Sequence, residues 1–238
     1  MEKKEKKNEN QLFNGLTQKE KEEAIEKIID FSCPKKSFFL MTTISSILCT
    51  IGIMSNNASV IIGAMLVAPL LSPILAIALG VSLADYRLIF RSIKVVSKAS
   101  LYAVGFSFLA AFLLNKPSEL NHEMLLRSFV SLEMVIVALL AGTAASLSII
   151  KKDLQQYLAG TAIAVALIPP LSMSAVALRM LEIQIFYNAA MIFLFNLAGI
   201  ILSSLMVFSL SKFYTSQKKV TEELKEEEKI LKDNTVNQ

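Results

Sequence analysis

Between Lys36 and Lys212 the chain is a succession of long apolar runs, broken only by short polar stretches. A helix that is apolar all round must be buried in protein or in lipid. Runs of about 20 apolar residues match the length needed to cross about 30 Å of hydrocarbon, and they recur too often here for a soluble core. Charged residues make up 18% of the chain, and most crowd into its two ends. The pattern predicts an all-α integral membrane protein with six transmembrane helices at 37–54, 58–83, 99–114, 128–150, 156–180 and 186–211. The breaks fall at Ser55-Asn56-Asn57, Asp85 to Lys98, Asn115 to Arg127, Lys151-Lys152-Asp153 and Arg179 to Glu182. The first run begins near Ser37, too far along for a cleavable signal peptide, and further runs follow it.

Three regions result: a charged tail at 1–36, the membrane domain at 37–211 and a charged tail at 212–238. In the first tail, Met1 to Asn10 reads as disordered. Thr17-Gln18-Lys19-Glu20 fits a capping box. Ala24, Ile25, Ile28, Ile29 and Phe31 then form the apolar stripe of a short amphipathic helix ended by Pro34. That helix either lies on the membrane surface or is solvated and leads into the first span. Counting Lys and Arg near the span ends orients the molecule. Thirteen fall on one side (Lys21, Lys27, Lys35, Lys36, Arg87, Arg91, Lys94, Lys98, Lys151, Lys152, Lys212, Lys218, Lys219) and three on the other (Lys116, Arg127, Arg179). Both tails are therefore expected in the cytoplasm, and the protein in the inner membrane. The basic breaks are accounted for by orientation and anionic lipid, so no nucleic-acid partner is expected.

Sliding the chain against itself by 97 positions places Gly63 on Gly160, Leu70 on Leu167, Pro73 on Pro170, Ala78 on Ala175 and Asp85 on Glu182. Two three-span repeats are inferred, about 37–114 and 128–211. An odd number of spans in each would make the second repeat enter from the opposite face, giving the 3+3 inverted repeat used by many secondary transporters. Prolines fall near the middle of the second and fifth spans: Pro69 and Pro73 in one, Pro169 and Pro170 in the other. A proline lacks the N–H and clashes with the preceding turn, so carbonyls there need other partners in lipid. The functional reading is two Pro-broken helices meeting at midplane around a small-solute site. The plain alternative is a pair of kinks that only shape packing, since Pro and Gly are ordinary in membrane helices.

The stretch Ile61-Ile62-Gly63-Ala64-Met65-Leu66-Val67-Ala68-Pro69-Leu70-Leu71-Ser72-Pro73-Ile74 resembles the signature of a prokaryotic membrane family known as domain of unknown function 389. Ala162 to Leu171 and Phe195-Asn196-Leu197 are similar to its later pattern. The resemblance covers about 37–211. It implies a multi-span protein with Pro-rich helices and carries no substrate or reaction.

Other residues invite a role. Glu133 is the one acidic residue placed just inside a span, which by default suggests function; near the edge it can reach headgroups or Arg127. Asn196, within the sixth span, serves either as a hydrogen bond between helices or as part of a polar path. Asp85 and Glu182 end helices or pair with Arg87 and Arg179. The small residues from Ala141 to Ser146, Gly142 among them, permit close helix approach, as would Gly63 and Gly160. His122 has no partner cluster and reads as a surface residue. Cys33 and Cys49 have no metal-ligand spacing. No metal motif, nucleophile turn or phosphate loop is present, so neither an enzyme nor a cofactor is expected.

The preferred reading is a transporter or channel for a small solute or ion. Its path would be lined by Pro69, Ser72, Pro73, Thr161, Pro169, Pro170 and Ser172, with Glu133 and Asn196 as further candidates. The alternative is a non-transporting scaffold, sensor or assembly factor acting through its tails. The small-residue faces also make a homo-oligomer plausible.

Overall fold

The computed structural model describes residues 18–114, 120–157, 160 and 166–213. Every regular element among them is helical: α1 Gln18–Phe31, α2 Lys36–Met54, α3 Ala58–Val67, α4 Leu71–Leu83, α5 Tyr86–Leu113, α6 His122–Leu126, α7 Leu132–Ile150, a 3₁₀ turn Lys152–Tyr157, α8 Ile168–Met180 and α9 Ile183–Leu210. Four helices, α2, α5, α7 and α9, are long and apolar enough to cross a membrane, and the bent pair α3–α4 makes a fifth candidate. The fifth expected span, 156–180, falls on an incompletely described stretch. Half or fewer of the residues in the apolar windows of the four long helices are buried, so most of that apolar surface faces outward. The interior, by contrast, holds Thr42, Ser45, Ser46, Thr50, Ser107, Ser146, Ser172 and Ser204. Apolar outside with hydroxyls inside is the arrangement of a multi-pass membrane protein, whose backbone and side-chain polar groups must find internal partners.

The first break follows from local chemistry. Ala68 is extended (φ −72°, ψ 120°), as expected for the residue before a proline. α3 therefore ends at Val67, and α4 leaves at 53° to it. Pro69 is the residue of the break. Pro73 is not: it is the third residue of α4, where the missing N–H has no helical acceptor in any case. Pro169 and Pro170 likewise occupy the second and third positions of α8. They open a helix where a mid-span kink was expected.

The expected loop from Asp85 to Lys98 is instead the first part of one continuous helix. Asp85 caps α5, its carboxylate accepting from the Leu88 amide at 3.0 Å. Charge marks where a helix leaves the apolar layer, but it does not end the helix. At 28 residues, α5 and α9 are each about 42 Å long.

The two halves correspond element by element. α8 and α9 begin and end 97 positions after α4 and α5, and α7 begins and ends 96 positions after α2. Ala84 and Leu181, after α4 and α8, are both left-handed (φ 52° and 66°). The hydrogen bonds match as well. Ser107 of α5 donates to the Ser46 carbonyl of α2 at 3.3 Å, and Ser204 of α9 donates to the Gly142 carbonyl of α7 at 3.4 Å. Thr50 donates to that same Ser46 carbonyl, and Ser146 to that of Gly142, each at 2.8 Å.

α2 and α5 run parallel, pairing Phe39 with Tyr102 and Ser46 with Ser107. α7 and α9 also run parallel, with Ala138 against Gly199 and Gly142 against Ile200 and Ser203. α8 packs on α5 and α2, and α4 packs on α9 as well as on α5.

Four residues of the α1 stripe pack against protein. Ala24, Ile25, Ile28 and Ile29 are buried, in a helix that docks on α4 and α7. Each isoleucine contributes roughly 1.5–3 kcal/mol of gross burial. Lys21 Nζ donates to the Lys212 carbonyl at 3.0 Å, tying α1 to the end of α9. The expected capping residue Thr17, the stretch from Met1 to Asn10 and the charged C-terminal stretch from 214 lie outside the described residues.

Candidate functional site

A second break in the backbone, the left-handed turn at Ala166 before α8, opens onto a cavity of about 340 Å³ formed by α3, the segment from the end of α6, and α7, α8 and α9. Its lining includes Met65, Ala166, Pro169, Pro170, Ile192 and Asn196, together with Arg127, Ser131, Glu133 and Val137. Thus Glu133, Asn196, Pro169 and Pro170, far apart in sequence, share one space.

Each polar group is positioned for a local reason. Ala166 is left-handed (φ 42°), so the chain turns sharply before Leu167 and α8. Asn196 Nδ2 donates to the Ala166 carbonyl at 3.3 Å. That bond supplies a partner to a carbonyl outside any helix, and it fixes the amide at the cavity wall. Asn196 is both glue between segments and part of the lining. Ser131 caps α7, its hydroxyl accepting from the Met134 amide at 3.4 Å. Glu133 lies in the first turn of α7, where the helix dipole favours an anion, and its side chain is exposed. Arg127 pairs with Glu123, one turn before it, and also donates to the Glu123 carbonyl at 2.8 Å. The expected Glu133–Arg127 approach is thus replaced by a local pair, leaving Glu133 as the carboxylate that faces the cavity.

The remaining candidates lie elsewhere. Ser172 is fully buried where α2, α5 and α8 meet: Ser107 Oγ donates to Ser172 Oγ at 2.9 Å, and Ser172 Oγ reaches the Ser46 carbonyl at 3.4 Å. It knits three helices. Pro73 is buried within α4, and Ser72 beside it is half-buried. Pro69 borders a separate cavity near α1. Thr161 lies outside the described residues.

The glycines separate cleanly. Among the described residues a Cβ at Gly63 or Gly160 would meet nothing within 4 Å, so no described contact requires glycine there. A Cβ at Gly142 would lie 2.3 Å from Ser203 Oγ and 2.8 Å from Ile200 Cα. Asp85 and Glu182 start helices, and Arg179 stacks over Phe112, 5.1 Å from the ring centroid. Sequence reasoning missed Arg127 with Glu123, Ser131 and Ala166. The one available signal was the Ser-x-Glu spacing of Ser131 and Glu133 at the start of an apolar run.

Among the described residues no cluster of three or more His, Cys, Asp or Glu could hold a metal. The cavity is mostly apolar, with one exposed carboxylate, one paired guanidinium, an amide and a hydroxyl. Such a lining can orient a small polar solute.

Comparison with known proteins supplies a family. Residues 65–202, more than half of the chain, match the family model described as Domain of unknown function (DUF389). An uncharacterized protein of Methanocaldococcus jannaschii is 31% identical over 182 residues, covering 76% of this chain and 56% of that protein. The chain therefore spans little more than half the length of that relative. No solved structure matches.

Proposed function

The chain belongs to the Domain of unknown function (DUF389) family, and we propose that it is a transport protein built from two inverted three-span halves. Parallel helices support the topology. α2 and α5 follow one another in the chain and run the same way, so a return crossing must separate them; the bent pair α3–α4 supplies it. Asn121 Nδ2, beyond the end of α5, donates to the Ile53 carbonyl at the end of α2 at 2.8 Å, which puts both ends on one face. α7 and α9 need a return of the same kind, and the segment ending in α8 supplies that. Asn188 near the start of α9 donates to the Ser128 carbonyl just before α7 at 2.8 Å. The Lys21–Lys212 contact then requires an even number of crossings, and six satisfies all three contacts. The lysine and arginine bias favours cytoplasmic tails in an inner membrane.

The observation that carries transport is the meeting of the two breaks. Leu70 and Leu71 of the first and Leu167 and Ile168 of the second line one small central void. Each break also overlooks a cavity of its own. Discontinuous helices at midplane, in repeats of opposite orientation, are how secondary transporters build solute sites. Arg127 is already paired with Glu123, so the Glu133 carboxylate sets the sign of the larger cavity, which favours a small neutral solute or a cation over an anion. The lining suits binding and passage; we assign it no enzymatic step.

The test is flux into proteoliposomes across a panel of small neutral solutes, zwitterions and monovalent cations. Wild type is compared with Val137→Trp, which fills the cavity. Uptake of a neutral solute or a cation that Val137→Trp abolishes without lowering the melting temperature supports the reading. Uptake unaffected by the substitution, or none across the panel, overturns it.

A further inference from the structure

The cavity at the first break is about 280 Å³ and is lined by Asp30, Lys35, Ser37, Met41, Val67 and Pro69, among others. It occupies the place in the first half that the larger cavity occupies in the second. Lys35 and Ser131 are the residues immediately before α2 and α7. Ser37 and Glu133 are the second residues of those helices, and Met41 and Val137 the sixth. Pro69 and Ala166 stand 97 positions apart, each in its own break. The faces differ. The first cavity lies beside the α1–α2 turn, on the side of the Lys21–Lys212 contact. The second lies beside the turn that precedes α7, on the side of the Asn121–Ile53 contact.

Between the two breaks the void bounded by Met65, Ala68, Leu70, Leu71, Leu167 and Ile168 measures about 10 Å³. That is at the lower limit for a single water, and none of these side chains is polar. Leu70 and Leu167 are the residues just before α4 and α8; Leu71 and Ile168 are the first residues of those helices. Each half thus contributes the same two positions to one apolar contact, and all four are buried. An apolar constriction of this size excludes water and blocks polar solutes by dewetting.

We propose that the two cavities are opposite vestibules of a single path, and that Leu70, Leu71, Leu167 and Ile168 form the gate closing one from the other. The identity of what passes rests on the transport reading; the vestibules and the gate rest on the geometry. Access from either side requires the ends of α4 and α8 to part, which strains the Ser107–Ser172 contact between the halves, while the Ser107–Ser46 and Ser204–Gly142 contacts within each half stay intact. The halves move and the gate between them opens.

The test uses the full chain in proteoliposomes of defined orientation, with Cys33→Ser and Cys49→Ser as background. Met41→Cys or Val137→Cys is then added and probed with a membrane-impermeant maleimide. Val137→Cys should label only from the face bearing the turn before α7, and Met41→Cys only from the face bearing α1. Labelling of both from one face, or of either from both faces, overturns the proposal. In a second arm, Leu70→Ser combined with Leu167→Ser places hydroxyls in the gate, and glycerol leak should rise at least tenfold. No rise, in a variant that melts with wild type, overturns the gate; if the variant does not fold, the one-sided labelling still decides. One-sided labelling and a leaking gate variant, beside a wild type that moves no solute, uphold this inference and overturn the transport reading alone.

Discussion

Replacing Gly142 with alanine tests the close approach of α7 to α9. The added Cβ would stand 2.8 Å from Ile200 Cα, 3.1 Å from Ile200 O and 2.3 Å from Ser203 Oγ. Ser203 can rotate away, but the backbone of α9 cannot. Carbon atoms rest at about 3.5–4.0 Å, so α7 and α9 must separate by about 0.7 Å or more along their crossing. That shift also stretches the Ser204–Gly142 hydrogen bond, already 3.4 Å long. Overpacking of this kind costs about 1–3 kcal/mol, against which alanine recovers up to about 1 kcal/mol of helix propensity. The expected net loss is about 1–2 kcal/mol, a drop in melting temperature on the order of 5 °C. The assay is thermal unfolding in detergent, with Gly63→Ala and Gly160→Ala as controls. Those controls should melt at or above wild type, because nothing among the described residues lies within 4 Å of either added Cβ. If Gly142→Ala melts with wild type, or either control falls as far as it does, the packing argument is refuted.

Other changes probe other contacts. Asn196→Leu removes the donor that serves the Ala166 carbonyl and should destabilise by about 1–3 kcal/mol, measured by reversible unfolding; an unchanged midpoint would mean the carbonyl is served otherwise. Ile28→Asp places a charge in the buried stripe of α1 and should release that helix to limited proteolysis while α2 to α9 remain resistant. Lys21 has its pKa lowered, by burial first and by the Lys212 charge second. The undocked helix therefore holds more protons than the docked one between that lowered value and 10.5. Docking should strengthen as pH rises through this window and weaken as pH falls back through it. Protease protection of α1 that declines on raising pH toward 10.5 would contradict the sign.

Much of the architecture was legible because single residues force it. The residue before a proline is biased to extended backbone, and Ala68 before Pro69 ends α3 in that way; Asp85, read as ending a helix, instead caps the start of the next one. The 97-residue offset, first visible in a few glycines, leucines and prolines, reappears in the bounds of α4, α5, α8 and α9. What stayed hidden depended on the backbone or on distant packing. Ser107 and Ser204 make equivalent bonds to the carbonyls of Ser46 and Gly142. A carbonyl acceptor leaves no mark on side-chain identity, so an alignment of letters does not show the pair. The charges of Arg87, Arg91, Lys94 and Lys98 suggested a loop, although nothing in Tyr86 to Lys98 breaks a helix. Prolines suggested kinks at Pro73 and Pro170, yet the first turn of a helix accepts proline freely. The cavity residues Glu133 and Asn196 stood out as polar letters in apolar runs. That they face one space with Pro169 and Pro170 follows only from how α7, α8 and α9 cross.

The central claim, two inverted halves whose broken segments both cross the membrane, is tested most directly by the sidedness of the second one. Gln156→Cys in the 3₁₀ turn and Glu182→Cys before α9, each in the cysteine-free background, bracket that segment. The account predicts labelling by an impermeant maleimide from opposite faces, Gln156→Cys on the face of Tyr86→Cys and Glu182→Cys on the face of Asn57→Cys. Labelling of Gln156→Cys and Glu182→Cys from the same face would make the segment a re-entrant hairpin and contradict the inverted six-span account.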